Sequence, residues 1–193
     1  MLRRFFVSML AFALWACSPS EPRFNSADIT GADYGREFAL TDHTGRPRTL
    51  TDFRGKVVVM FFGYTRCPDV CPTTMAELQQ VMQRLGDDAK RVQVLFVTVD
   101  PERDTPALLA QYVPAFDASF LGLYGDSQAI ARTARDFKVF YQKVPGSKPD
   151  SYSVDHTAGS YVFDPQGRLR LFVRHGGSID PLVADLRVLL SGK

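Results

Sequence analysis

Two sulfurs stand close together in Cys67-Pro68-Asp69-Val70-Cys71-Pro72, and that spacing is the strongest chemical signal in the chain. A thiol pair can carry out disulfide exchange, with Cys67 attacking and Cys71 resolving. As thiolates the same pair is a soft donor set of the kind that selects Cu(I), zinc or iron–sulfur clusters. A structural disulfide is the third reading, but a bridge closing so short a loop adds little stability, because the gain grows with loop length. Two donors are too few for a closed zinc or cluster site, which takes four ligands. A third ligand therefore decides between redox and metal chemistry.

Three histidines are candidates. His43 falls in Asp-His-Thr-Gly and His175 in Arg-His-Gly-Gly, contexts in which a polar surface residue needs no function. His156 lies in Asp155-His156-Thr157, directly before an apolar run at residues 159–163.

The elements that must position these groups follow from hydrophobic periodicity. Residues 56–64 form a near-continuous apolar run, the mark of a strand buried on both faces. Met75, Leu78, Val81, Met82 and Leu85 recur at helical spacing over residues 73–85, and residues 92–99 form a second buried strand, which completes a βαβ unit. Proline disfavours the α conformation in the residue before it, so Cys67 and Cys71 are both expected outside regular helix, with the helix starting at Pro72. A helix N-terminus beneath the sulfurs favours thiolate, which predicts activated cysteines.

Around this unit, residues 38–41 and 49–50 flank turn residues and read as an N-terminal β-hairpin. Thr105-Pro106 caps a helix through Tyr112. A short strand at 120–124, a helix at 127–137 running into residues 138–142, a hairpin of residues 159–163 and 169–173, and a closing amphipathic helix at 178–190 follow. This order predicts an α/β, thioredoxin-like domain over residues 37–193, with a central mixed sheet flanked by helices and extended by the N-terminal hairpin.

The first 16 residues read differently. Arg3 and Arg4 precede twelve residues, 5–16, broken only by Ser8, a signal-peptide plan. The stretch is short of the about 20 apolar residues a spanning helix needs. Leu14-Trp15-Ala16-Cys17 resembles a bacterial lipobox, apart from its Trp, which predicts cleavage before Cys17 and lipid attachment to it. Residues 17–36 then read as a flexible tether. The domain is expected to be exported and lipid-anchored on the periplasmic side of a bacterial membrane, the inner one by preference.

Composition excludes other classes. Hydrophobic residues make up 45% and charged residues 23% of the chain, a balance that gives one globular domain rather than a disordered tail. Removing the two leader arginines leaves 21 basic against 21 acidic residues, with no basic stripe, so nucleic acid is not an expected partner.

Three segments together resemble the Sco/SenC family of copper-binding, thioredoxin-like assembly proteins. They are Phe61-Phe62-Gly63-Tyr64-Thr65-Arg66-Cys67-Pro68-Asp69-Val70-Cys71-Pro72, Thr98-Val99-Asp100-Pro101-Glu102-Arg103-Asp104-Thr105-Pro106 and Tyr152-Ser153-Val154-Asp155-His156-Thr157. The resemblance runs from about residue 38 to 190. It implies that Cys67 and Cys71 match the family's cysteine copper ligands and His156 its histidine ligand. The implied cargo is copper, as Cu(I) and also as Cu(II), and the implied role is delivery to, or thiol reduction at, the binuclear copper centre of cytochrome c oxidase. The implied partners are that enzyme's copper-bearing subunit, other periplasmic copper carriers or thiol reductases, and a membrane reached through the N-terminal lipid. Asp69, Asp100 and Asp155 also match motif positions without being expected as ligands. Residues 100–106 read as a turn and cap, and Asp155 as the group that orients His156. A lipobox-like leader in place of a spanning helix is the one departure.

The rival reading is a thiol–disulfide oxidoreductase in which Cys67 and Cys71 are catalytic. Such enzymes usually carry CxxC rather than CxxxC, with a cis-proline nearby, and no proline lies between Pro149 and Pro165. Peroxidase chemistry is disfavoured by Tyr64, where a Thr or Ser would normally precede the nucleophile. A passive binding module is disfavoured by three reactive-type residues converging on one site.

Overall fold

The computed structural model describes residues 23–148 and 151–192. The leader and the Cys17 lipidation position lie outside the described residues. The chain runs through β1 (Ala27–Asp28), β2 (Ala39–Asp42), β3 (Pro47–Thr49), β4 (Val57–Gly63), α1 (Val70–Leu85), β5 (Val92–Thr98), α2 (Pro106–Tyr112), β6 (Leu121–Tyr124), α3 (Ser127–Asp136), β7 (Tyr141–Pro145), β8 (Tyr152–His156), β9 (Gly159–Phe163), β10 (Leu169–Arg174) and α4 (Ile179–Leu190). Eight strands make one mixed sheet in the order β1-β10-β9-β4-β5-β6-β2-β3.

At its centre β4 and β5 pair in parallel from Val57 opposite Val92 to Gly63 opposite Thr98, and every residue of both is buried. Parallel strands need a crossover, and α1 supplies it. Cys71, Thr74, Met75, Leu78, Val81, Met82 and Leu85 form its buried stripe, and it packs against α4. Pairing of β9 antiparallel to β4 brings the late part of the chain beside the strand that leads to the cysteines.

Two hairpin turns of this sheet repeat one device. The Asp42 carboxylate accepts from the backbone N–H groups of Thr44 and Arg46, and Asp164 accepts from those of Gln166 and Arg168. Gly45 and Gly167 supply the positive φ, 86° and 75°, that closes each turn.

The structure differs from the sequence reading in three places. Helix α1 begins at Val70, not Pro72, so Cys71 lies within its first turn; Thr73 N–H closes the first helical bond on the Asp69 carbonyl at 3.1 Å. Proline at 72 is tolerated there because first-turn N–H groups lack intrahelical partners in any case. Residues 152–156, to which hydrophobic periodicity assigns no element, form β8, which pairs with β7 in a separate two-stranded sheet, with Tyr141 opposite His156.

Residues 23–36, expected as part of a free tether, lie along the domain. β1 pairs with β10, and the fully buried Asp185 accepts from the backbone N–H groups of Asn25 and Ser26, both at 2.8 Å, and from the Asn25 side chain at 2.9 Å. Gly35 N–H donates to the Asp136 carbonyl at 2.9 Å. A polar stretch docks here because a buried carboxylate in α4 needs donors, a demand local composition does not reveal.

Among the described residues no helix is long and apolar enough to cross a membrane. Asp185→Ala is expected to destabilise the domain by about 2 kcal/mol in urea denaturation, through loss of hydrogen bonds to a charged acceptor. Amide exchange at residues 25–28 should accelerate in the same variant.

Candidate metal centre

Three arms converge at the C-terminal end of β4. Gly63 ends that strand, and the turn from Tyr64 to Asp69 carries Cys67, whose N–H donates to the Tyr64 carbonyl at 3.3 Å. The first turn of α1 carries Cys71, and the end of β8 carries His156. Cys71 Sγ lies 3.4 Å from His156 Nε2, and the ligand atoms of Cys67, Cys71 and His156 all lie within 4.8 Å of one another. Both cysteines are free, Cys67 half-buried and Cys71 fully buried.

The tautomer of His156 follows from its neighbours. Nδ1 lies 3.1 Å from the Thr157 carbonyl, which can only accept, so Nδ1 carries the proton and Nε2 presents its lone pair to Cys71. Burial lowers the pKa of His156 and keeps the ring neutral. Phe61 and Tyr64 pack edge-on against that ring, at 6.1 and 5.9 Å between centroids.

Cys71 departs from expectation. A helix N-terminus favours thiolate, but burial pushes the Cys71 thiol well above its ordinary range, and the neighbouring Cys67 adds to the rise. Desolvation outweighs the dipole because this sulfur is fully buried. The activated-cysteine expectation therefore fails at Cys71.

Asp155, expected to orient His156, does not do so. Adjacent strand positions point to opposite faces, so Asp155 is exposed, and the Thr157 carbonyl takes that role. His43 and His175, expected as surface residues, each make one side-chain bond within the fold. Gly122 N–H donates to His43 Nδ1 at 3.0 Å, and Thr74 Oγ1 lies 2.8 Å from His175 Nδ1. Neither joins the cluster.

Two positioning features escaped the sequence reading. Gly63 leaves the space Cys71 fills, since a Cβ there would lie 2.9 Å from Cys71 Sγ and 2.8 Å from Phe61. Asp104, read as part of a turn and cap, is buried; it accepts from Thr65 Oγ1 at 2.6 Å, Thr65 N–H at 3.0 Å and Thr98 Oγ1 at 2.7 Å. It ties the cysteine turn to the end of β5. Its place beside Thr105-Pro106 was visible in the sequence, but its burial was not. Asp100 is ion-paired with Arg103 and joins no ligand cluster, and Asp69 is exposed.

A SCO1/SenC family model matches residues 26–191. The mouse mitochondrial SCO2 homolog is 39% identical over 153 residues, covering 78% of this chain and 60% of that protein, so the chain spans well under the full length of its mammalian relative. A SCO2-like protein of Rickettsia felis is 32% identical over 84% of this chain and 80% of its own. The structure of Bradyrhizobium japonicum ScoI with copper bound is 41% identical, with a TM-score of 0.71, covering 80% of this chain and 98% of that one.

Gly63→Ala is expected to cost about 1–3 kcal/mol by overpacking, and to change the alkylation rate of Cys71 in the native protein. In a Cys67→Ser variant, alkylation of Cys71 should keep accelerating above pH 9, because the reactive thiolate forms only beyond the ordinary thiol pKa. A plateau near pH 8.5 would contradict the raised pKa.

Proposed function

The chain belongs to the SCO1/SenC family, and we propose that it carries copper as cargo on Cys67, Cys71 and His156 and delivers it to the copper centre of cytochrome c oxidase. One observation carries the reading: two sulfurs and an imidazole nitrogen that comes 85 residues after the nearer cysteine lie within 4.8 Å of one another. Ligand bonds of about 2.0–2.3 Å let one ion reach all three atoms with only small side-chain adjustments.

The donor set suits a soft ion at low coordination number. His156 enters as a neutral ligand with its tautomer already set. Cys71 enters as a thiol, so binding releases its proton and replaces a buried neutral group by a thiolate held against a cation. The asymmetry of burial gives the site a closed side at Cys71 and an approachable side at Cys67, where an acceptor's thiol can displace one ligand at a time.

Export and anchoring belong to the same proposal. A lipidated Cys17 would hold the domain on the periplasmic side of a bacterial membrane, where the oxidase's copper-bearing subunit is reached. Reduction of the acceptor's cysteines by the free Cys67 and Cys71 is the second reading, supported by two unbridged thiols adjoining each other.

Anaerobic titration of the reduced domain with Cu(I) under a competing chelator is expected to give one ion per chain. His156→Ala should weaken binding at least about a hundredfold, close to 2.7 kcal/mol. Unchanged affinity in His156→Ala, with disulfide reductase activity retained, would replace the cargo reading by the reductase one.

A further inference from the structure

We propose that Arg103 is a positioning residue that keeps the imidazole arm of the site in register with the cysteine arm. The inference rests on the copper-cargo reading and deepens it, because it concerns how that same site is assembled.

Arg103 Nε is ion-paired with the fully buried carboxylate of Asp100. Its Nη1 donates to the backbone carbonyl of Tyr152 at 2.8 Å. The guanidinium lies flat against the Tyr152 ring, 3.5 Å from its centroid, and 5.7 Å from that of Tyr64. Tyr152 completes the circuit by donating from its hydroxyl to Asp100 Oδ1 at 2.8 Å.

These contacts join both arms. Tyr152 opens β8, the strand that ends in His156. Tyr64 starts the turn that carries Cys67 and packs edge-on against the imidazole. Asp100 is itself fixed to the scaffold, its N–H donating to Thr98 Oγ1 at 3.0 Å just past β5. Because β8 pairs with β7 outside the main sheet, its placement cannot come from the central ladder. A tie at Tyr152, about 13 Å along the strand from His156, sets the direction in which the imidazole is delivered. A further polar tie among the described residues, the surface pair of Lys143 and Glu102 at 2.6 Å, is a weak restraint.

Pairing with Asp100 does not by itself account for this arrangement. Arg103 Nη2 is buried with no hydrogen-bond partner among the described residues, and an orphaned buried donor is unfavourable. An apolar side chain would avoid that penalty only by leaving the buried Asp100 carboxylate unpaired. What it could not supply is a planar group that grips a carboxylate, a carbonyl and two rings at once.

The test compares wild type with Arg103→Met and Arg103→Lys by two readouts, one of them independent of copper. Hydrogen exchange on the metal-free reduced domain is expected to accelerate at least tenfold at amides of β7 and β8 in Arg103→Met, with β4 and β5 unchanged. Equal acceleration in β4 and β5, or none in the hairpin, would overturn the positioning role whatever the cargo. In Cu(I) competition, Arg103→Met is expected to weaken binding at least tenfold in the wild-type background and less than twofold in His156→Ala, with Arg103→Lys only partly restoring it. The same loss in both backgrounds would show that Arg103 does not act through His156, and would also overturn the proposal. If wild type binds no copper, the cargo reading fails, and the exchange result still decides the positioning role.

Discussion

A helix N-terminus attracts negative charge, and a buried sulfur without water resists it. At Cys71 the two effects meet within one turn of α1, and desolvation prevails. The result is a neutral thiol facing the lone pair of a neutral imidazole, 3.4 Å away. Such a pair can be buried at little electrostatic cost, which lets the fold close around the site before any ion arrives. A cation entering the proposed site would be matched by the Cys71 proton leaving it. The rest of the architecture serves to keep that pocket dry on one side and reachable on the other.

The dry side is built by the central strands. Phe61, Phe96 and the Cys71 sulfur all crowd the space above Gly63, and the absence of a side chain at residue 63 sets how deep the sulfur can sit. The reachable side is built by irregular chain, which by itself has many conformations and would lose the geometry. Buried carboxylates past the end of β5 limit that freedom. Asp104 holds Thr65, and Asp100 holds Arg103 and Tyr152. Charged groups so deeply placed are unfavourable unless paired or hydrogen-bonded, and here hydroxyls, the Thr65 N–H and the Arg103 guanidinium supply those bonds. Residues 98–104 thus tie the arms of the site to one rigid strand end.

Legibility in the sequence followed periodicity. Strands β4 and β5 were readable because all seven residues of each are buried, and α1 because its apolar residues repeat at helical spacing. The thioredoxin-like order and the three proposed ligands followed from these elements and from the family resemblance. Strand β8 was not readable: in Tyr-Ser-Val-Asp-His only Val154 is buried, so pairing with β7 makes the strand, not a core-facing pattern. Residues 23–36 were misread for a related reason. Their partner, Asp185, lies some 160 positions later and reveals itself only when α4 is in place. Asp104 and Gly63 likewise acquire their meaning from neighbours distant in sequence.

The unequal burial of the two sulfurs bears on direction. If both cysteines were open, any soft ligand in solution could strip the ion; if both were closed, no acceptor could take it. With Cys71 fully buried and Cys67 half-buried on a turn between the exposed Arg66 and Pro68, displacement of a copper cargo would, on the proposed reading, begin at Cys67. His156 would be the next contact to yield, because it is borne by a hairpin outside the main sheet whereas Cys71 is fixed in a packed helix. The order of release would therefore be set by how firmly each ligand's own element is held, and only secondarily by the intrinsic strength of sulfur or nitrogen as a donor.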